Sequence, residues 1–450
     1  MQLTKIIILT FLFLTSVISQ TTIVTRDKTI SSMIEHISAS NLEETVKKLV
    51  SFDTRHSLST RKSLNKGIGA ACEWLKNQFE IIAKDADGRM IVQMDSFYVD
   101  PEGRRIPRKV LMTNPTAILR GVDKNDDRVF IVAAHIDSRN GNPNDSIGLA
   151  PGANDDASGV AAVLELSRIM SKQKFPATII FAAFSGEEQG LHGAAHLAKK
   201  AKDEKWNLVA MLNNDMIGNS YSNQTLLKNN IQFRVFSEGV PLFETDEMKS
   251  LRQLTNSEND SKSRQLARYV KEVGERYVDQ IEVKLVYRND RFLRGGDHTP
   301  FNRLGFTAVR FCELNENYDY QHQDLKEING IKYGDLPERI DYEYVRKITA
   351  VNLAVLANLA CSPDSPQKVG VVTSEVVNTT TLKWETPKYG SVKGYYILMR
   401  ETHMPFWEKK IFTDKTEITL PYSKDNYFFA VQSVNEKGNE SLPAFPIPLK

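Results

Sequence analysis

The chain has 450 residues, 41% hydrophobic and 25% charged, a globular composition with room for two or three domains. Its 58 basic and 56 acidic residues nearly balance and form no long basic run, so charge points to no nucleic acid and no anionic membrane surface. Cys72, Cys312 and Cys361 exclude a disulfide scaffold and a CxxC metal pair, while leaving open one disulfide plus a thiol or three thiols.

In chain order, residues 1–19 come first as a separate object. Lys5 precedes an apolar run from Ile6 to Leu14 broken only by Thr10, and small Ser19 ends the segment. The pattern predicts a cleaved secretory signal, too short for a membrane span, and hence an exported protein, periplasmic or extracellular. No other stretch is long enough for an integral membrane segment. Helical spacing of Leu42, Val46, Leu49 and Val50, and later of Ala71, Trp74, Leu75 and Phe79, predicts helix from about Asn41 to Lys84. Met90 to Tyr98 alternates like a half-buried strand.

Apolar runs then alternate with helical ones. RVFIVAA (Arg128 to Ala134), TIIFAAF (Thr178 to Phe184), LVAMLNN (Leu208 to Asn214) and FTAVRFC (Phe306 to Cys312) predict buried strands. Gly159 to Met170, about Leu191 to Ala201, and Ala267 to Tyr277 predict helices; polar 245–263 predicts a surface insertion. The resulting class is α/β, a mixed, mainly parallel sheet flanked by helices, over residues 20–362. From 363 to 450, short alternating runs with turn residues between them predict a small β-sandwich with Trp384 in its core. Leu420, Pro421, Tyr427 and the alternation that follows resemble the tyrosine corner of a fibronectin type III domain. Such a domain would suit a glycan or protein partner.

In an open α/β sheet, ligands bind beyond the carboxyl ends of the strands. There the first strand delivers His135-Ile136-Asp137, the second Ser185-Gly186-Glu187-Glu188 and the third Asp215. The loop PGANDDASG adds Asp155 and Asp156, and His322 follows the last strand. Alone, His135 reads as a satisfied strand-end histidine, Asp155–Asp156 as a helix cap and Glu187–Glu188 as a solvated turn. Imidazole and carboxylate arriving from five segments suit metal-assisted hydrolysis by two divalent ions about 3.5–4 Å apart, with one further carboxylate as proton acceptor. Successive side chains at a strand end diverge, so one glutamate of the pair can face a metal while its neighbour stays free. His192 and His196 lack an HExxH glutamate and lie on a helix leaving the crevice; His36, His56 and His403 have no evident partners.

HIDS, GANDDASG, SGEEQGLHG, NNDMIG and the late histidine, in this order over roughly residues 40–360, resemble the M28 family of zinc aminopeptidases. The resemblance implies two Zn2+ ions per chain and peptide substrates with a free N-terminus. It implies His135, Asp155, Glu188, Asp215 and His322 as metal ligands, with Asp155 bridging. One site would add Glu188 and His322, the other His135 and Asp215. Glu187 would be the general base and Asp137 the partner of His135, and the Asp155–Asp156 peptide would be cis. Two positions depart from the family pattern: Gln323 follows His322, where Ser or Thr is common, and Asn214 precedes Asp215, where an apolar residue is commoner. His298, in RGGDHTPF, is the alternative to His322; Asp297 and His298 are otherwise expected on the substrate side. Rival readings are a glutaminyl cyclase with one zinc, a carboxypeptidase of the same scaffold, and a binding or adhesion protein.

Overall fold

The computed structural model describes residue 22, residues 24–374 and residues 376–449. The predicted signal, residues 1–19, lies outside the described residues. Eight strands build the main sheet: β1 (Met90–Val99), β2 (Val110–Leu119), β3 (Arg128–His135), β4 (Thr178–Phe184), β5 (Asn207–Asn214), β6 (Gln232–Phe236), β7 (Glu282–Val286) and β8 (Ala308–Glu313). Their spatial order is β1-β2-β4-β3-β5-β8-β6-β7. The four central strands β4, β3, β5 and β8 run parallel, as their nearly uninterrupted apolar character predicts. The pairs β1–β2, β2–β4 and β6–β8 are antiparallel, which makes the sheet mixed.

Alternate residues of the central strands feed two cores. Phe130, Val132 and Ala134 of β3 and Phe181 of β4 face helices α1 (Lys28–Glu35), α2 (Ala39–Val50), α3 (Gly67–Ala83) and α4 (Ser158–Met170). The helical stretch expected over 41–84 is therefore two helices, separated by a loop that carries Arg55. Ile131, Ala133, Ile180 and Ala182 face the other way. Beyond β4 and the short α5 (Glu187–Gly190), helix α6 (His192–Asp203) covers that face with Ala194, Leu197 and Ala198. Helix α7 (Asp246–Thr255) buries no residue, so the polar insertion forms a surface helix capped by Thr245. Next come α8 (Lys262–Tyr277) on the larger core and α9 (His298–Arg303), whose Phe301 joins the smaller one. A short ribbon, β9 (Lys326–Ile328) and β10 (Ile331–Tyr333), leads to the buried α10 (Tyr342–Cys361).

Strands β11 (Gln367–Val372), β12 (Thr380–Glu385), β13 (Gly394–Glu401), β14 (Lys409–Thr413), β15 (Glu417–Leu420), β16 (Tyr427–Val434) and β17 (Ile447–Leu449) follow. They form sheets ordered β15-β12-β11-β17 and β14-β13-β16. Leu382 and Trp384 of one meet Tyr395, Ile397 and Val431 of the other in one core, which is a sandwich. The ring of Tyr427 meets Tyr422 edge-on at 5.4 Å. Among the described residues its hydroxyl makes no hydrogen bond, so the defining bond of the expected tyrosine corner is absent. Buried charges fix this unit to α8: Glu440 pairs with Arg276 and Lys410, and Asp260 takes Arg268 at 2.6 Å and Arg400 at 2.7 Å. No helix among the described residues is long and apolar enough to cross a membrane.

Candidate metal centre

The carboxyl ends of β3, β4, β5 and β8 open onto one crevice of about 320 Å³. His135 is the last residue of β3 and Asp215 follows β5, so both arrive on rigid strands. Asp155 comes from the turn before α4, where the Asp155–Asp156 peptide is cis. The glutamates follow a different geometry from the one expected. Gly186 takes φ +83°, a conformation glycine favours, and its missing Cβ would meet Met112 Sδ at 2.6 Å. The chain thereby turns from β4 into α5, and Glu187 and Glu188 diverge as neighbours on a helical turn rather than at a strand end.

Two groups of potential ligand atoms result, His135–Asp155–Asp215 and Asp155–Glu188–His322, each with its atoms within 4.8 Å of one another. Asp155 belongs to both. Its Oδ1 lies 3.0 Å from His135 Nε2 and its Oδ2 lies 2.9 Å from His322 Nε2. Glu188 Oε1 is also 2.9 Å from His322 Nε2. His135 Nδ1 lies 3.1 Å from the backbone carbonyl of Asp137. A carbonyl only accepts, so Nδ1 carries a proton and Nε2 is the nitrogen that faces Asp155 and Asp215. His135 Nε2 is buried with Asp155 Oδ1 at 3.0 Å and Asp215 Oδ1 at 3.9 Å, and nitrogen plus carboxylate oxygen is the donor set zinc takes. The residues fit the implied metal. Glu187 lines the same crevice and belongs to neither group.

Buried carboxylates brace the arrangement from behind. Asp137, the expected partner of His135, meets Nδ1 through its backbone carbonyl, with its carboxylate Oδ1 at 3.6 Å. The carboxylate instead accepts the N–H groups of Gly186, Glu187 and Glu188 at 3.0, 3.2 and 3.1 Å. Asp156 accepts from His135 N, Met216 N and Gly159 N, tying two strand ends to the start of α4. The capping role therefore falls to Asp156 and leaves Asp155 free for the crevice. Asp335 accepts the N–H groups of Asn154 and Asp155, each at 2.8 Å. Arg55, fully buried, donates to the carbonyls of Ile136, Pro151 and Gly152. The unusual Asn214 exchanges amide hydrogen bonds with Asn352 of α10 at 2.8 and 3.2 Å. Gln323 donates to the Tyr318 carbonyl and leaves His322 in place.

Crowded acids dominate the electrostatics. Burial, then the Asp215, Glu188 and Asp297 carboxylates, push Glu187 well above its ordinary range against the pull of His135. Burial and neighbouring acids likewise raise Asp156 and Asp215, although Arg310 at 2.8 Å opposes this at Asp215. Burial disfavours charge on His322, yet Glu188 and Asp155 outweigh it and hold the ring up to about 9. Divalent cations would relieve this repulsion.

The structure places the remaining expectations plainly. Asp297 and His298 are fully buried behind the crevice wall, where Gly295 rather than either of them lines the space. His298 Nε2 bonds to the Asn289 carbonyl, which removes it as a rival to His322. His192 pairs with Glu102 at 3.3 Å and His196 with Asp95 at 3.3 Å, both away from the centre. Sequence spacing gave no sign of Arg139, which donates to Glu188 Oε2 at 2.9 Å and lies 2.5 Å from His322 Nδ1. Nor did it mark Gln321, 3.1 Å from Asp155, or Arg310.

The model of peptidase family M28 matches residues 114–342. A probable zinc metalloprotease of Leptosphaeria maculans is 43% identical over 94% of this chain and 97% of its own length. The chain belongs to peptidase family M28. A probable zinc metalloprotease of Pyrenophora tritici-repentis is 42% identical, covering 94% of this chain and 98% of that one. The fold is similar to that of the LapA aminopeptidase of Legionella pneumophila, with a TM-score of 0.52, 19% identity and 76% of each chain covered. It is equally similar to Macrostomum lignano glutaminyl cyclase, with a TM-score of 0.52, 18% identity, and 75% of this chain and 94% of that one covered. At these identities the two solved structures speak to fold alone; the zinc metalloprotease class rests on the family match and the relatives over nearly their whole length.

Proposed function

We propose that this M28 family member is an exported zinc aminopeptidase that removes N-terminal residues from peptides at a two-metal centre. The observation that carries the reading is the pair of ligand groups joined through Asp155, with Glu187 left outside both. In it, His135, Asp155 and Asp215 would hold one zinc and Asp155, Glu188 and His322 the other. Bound zinc would polarise the scissile carbonyl and lower the pKa of water. Glu187 accepts the proton of the attacking water and returns it to the leaving amine. Asp137 holds that glutamate in place through the backbone of the turn, and His135 keeps its Nε2 lone pair directed at the centre. Supporting the peptidase side are the relatives described as probable zinc metalloproteases over nearly their whole length.

The test is turnover of aminoacyl anilides by the zinc-loaded protein, compared with N-acylated peptides and N-terminal glutaminyl peptides. Cleavage that requires a free amine supports the reading. Cleavage only from the carboxyl end, or cyclisation without hydrolysis, overturns it.

A further inference from the structure

The carboxylates lining the crevice are Asp155, Glu187, Glu188 and Asp215, and all four are committed to metal binding or proton transfer in the proposed reading. No acid is left there to receive a cationic side chain. Four arginines line the same space: Arg105, Arg139, Arg291 and Arg294. Arg291 is neutralised by Asp290 at 3.2 Å and Glu316 at 2.9 Å, so it is structural. Arg105 donates to the backbone carbonyl of Glu188 at 2.6 Å, and Arg294 lies 6.0 Å from the ring of Tyr318. Neither has a carboxylate partner among the described residues. Arg139 compensates Glu188 at 2.9 Å, so it too is committed. Arg105 and Arg294 are therefore the two guanidiniums lining the crevice that no carboxylate among the described residues compensates.

We infer that the crevice selects substrates with a carboxylate within one residue of the scissile bond, held by Arg105 and Arg294. Guanidinium is the group best shaped to bind carboxylate in two-point contact, and the same field repels lysyl and arginyl substrates. This deepens the proposed peptidase reading and rests on it. Within that reading the carboxylate is the side chain of an N-terminal Glu or Asp; a free carboxyl terminus offers the same chemistry from another source.

The probes are glutamyl, aspartyl, leucyl and lysyl anilides with the zinc-loaded protein. The expected result is a kcat/KM at least tenfold higher for the acidic anilides than for leucyl, with lysyl lowest. In the Arg105→Gln/Arg294→Gln protein the glutamyl-to-leucyl ratio falls at least tenfold, chiefly through KM, while Arg294→Lys keeps part of it. Calorimetry on zinc-loaded Glu187→Gln should show a glutamyl peptide binding about tenfold tighter than a leucyl one. Leucyl or lysyl turnover equal to glutamyl, or equal binding, overturns the inference and leaves the aminopeptidase reading standing. If no anilide is cleaved, that reading fails, and N-acyl dipeptides with free or amidated carboxyl ends decide the inference. A tenfold preference for the free acid that disappears in the double variant supports it, and indifference to amidation overturns it.

Discussion

The carboxylate of Asp137 accepts the backbone N–H of Glu187 at 3.2 Å, so the residue two positions after His135 also fixes the turn carrying the glutamates. Its other oxygen holds Glu188 N at 3.1 Å and the hydroxyl of Ser57 at 3.1 Å. One buried carboxylate therefore sets the spacing between a proposed ligand and the proposed base. Asp137→Asn puts an amide among three N–H donors that need an acceptor. The expected outcome is a kcat loss of about 100-fold and a roughly 10- to 100-fold weaker hold on zinc, read by steady-state kinetics and chelator competition. A kcat near that of the unaltered protein would show that the turn holds itself.

Asn214 and Asn352 are both fully buried and satisfy each other, which accounts for a polar residue just before Asp215. Asn214→Leu leaves the Asn352 amide short of a partner and should cost about 1–3 kcal/mol in denaturant unfolding. Asn214→Leu/Asn352→Leu should be more stable than either single change, because both partners then go together. Simple additivity of the two losses would refute the pairing.

Glu440 couples the sandwich to the body at a pH-dependent joint. Burial raises its carboxyl, but Arg276 and Lys410 prevail and lower it from 4.5 to about 2. The folded value lies below the unfolded one, so its stabilisation is complete above about pH 4.5 and disappears as pH falls toward 2. Thermal melts across that window should lose on the order of 2 kcal/mol that the Glu440→Gln protein has already lost. Parallel melting curves for the two proteins down to pH 2 would contradict this assignment.

The cysteines form no disulfide. Cys72 and Cys312 are buried with their thiols pushed up to about 12, and burial pushes Cys361 up to about 11. A disulfide-exchange reagent at pH 8 should leave Cys72 and Cys312 unmodified in the native protein and react with three thiols after denaturation. Reductant should leave the melting temperature unchanged. A reductant-dependent shift would reveal a bridge.

The central sheet was legible because β3, β4, β5 and β8 are buried on both faces and so are written as apolar runs. β6 (QFRVF) and β7 (EVKLV) are five residues each and interleave charge, and β2 holds Thr113, Asn114 and Pro115. Such segments acquire strand identity from their neighbours. At the centre, ligand types and order could be read because each sits at the end of a run. Arg139 and Gln321 could not, since their approach depends on how loops fold over the crevice. The bend at Gly186 was hidden for a related reason. Its φ of +83° is a property of the backbone, and SGEE reads equally well as a strand end or a helical turn. Asp297 and His298 show the reverse error: a polar, glycine-rich segment resembled crevice lining but is packed behind it.

Zinc stoichiometry of the Glu187→Gln protein beside the unaltered one tests the central claim most directly. The account predicts two zinc ions per chain in both proteins by elemental analysis, with peptidase activity lower in the variant by about two to four orders of magnitude. One zinc per chain in the unaltered protein, or zinc lost from Glu187→Gln, would contradict the shared Asp155 bridge or the separation of base from ligand.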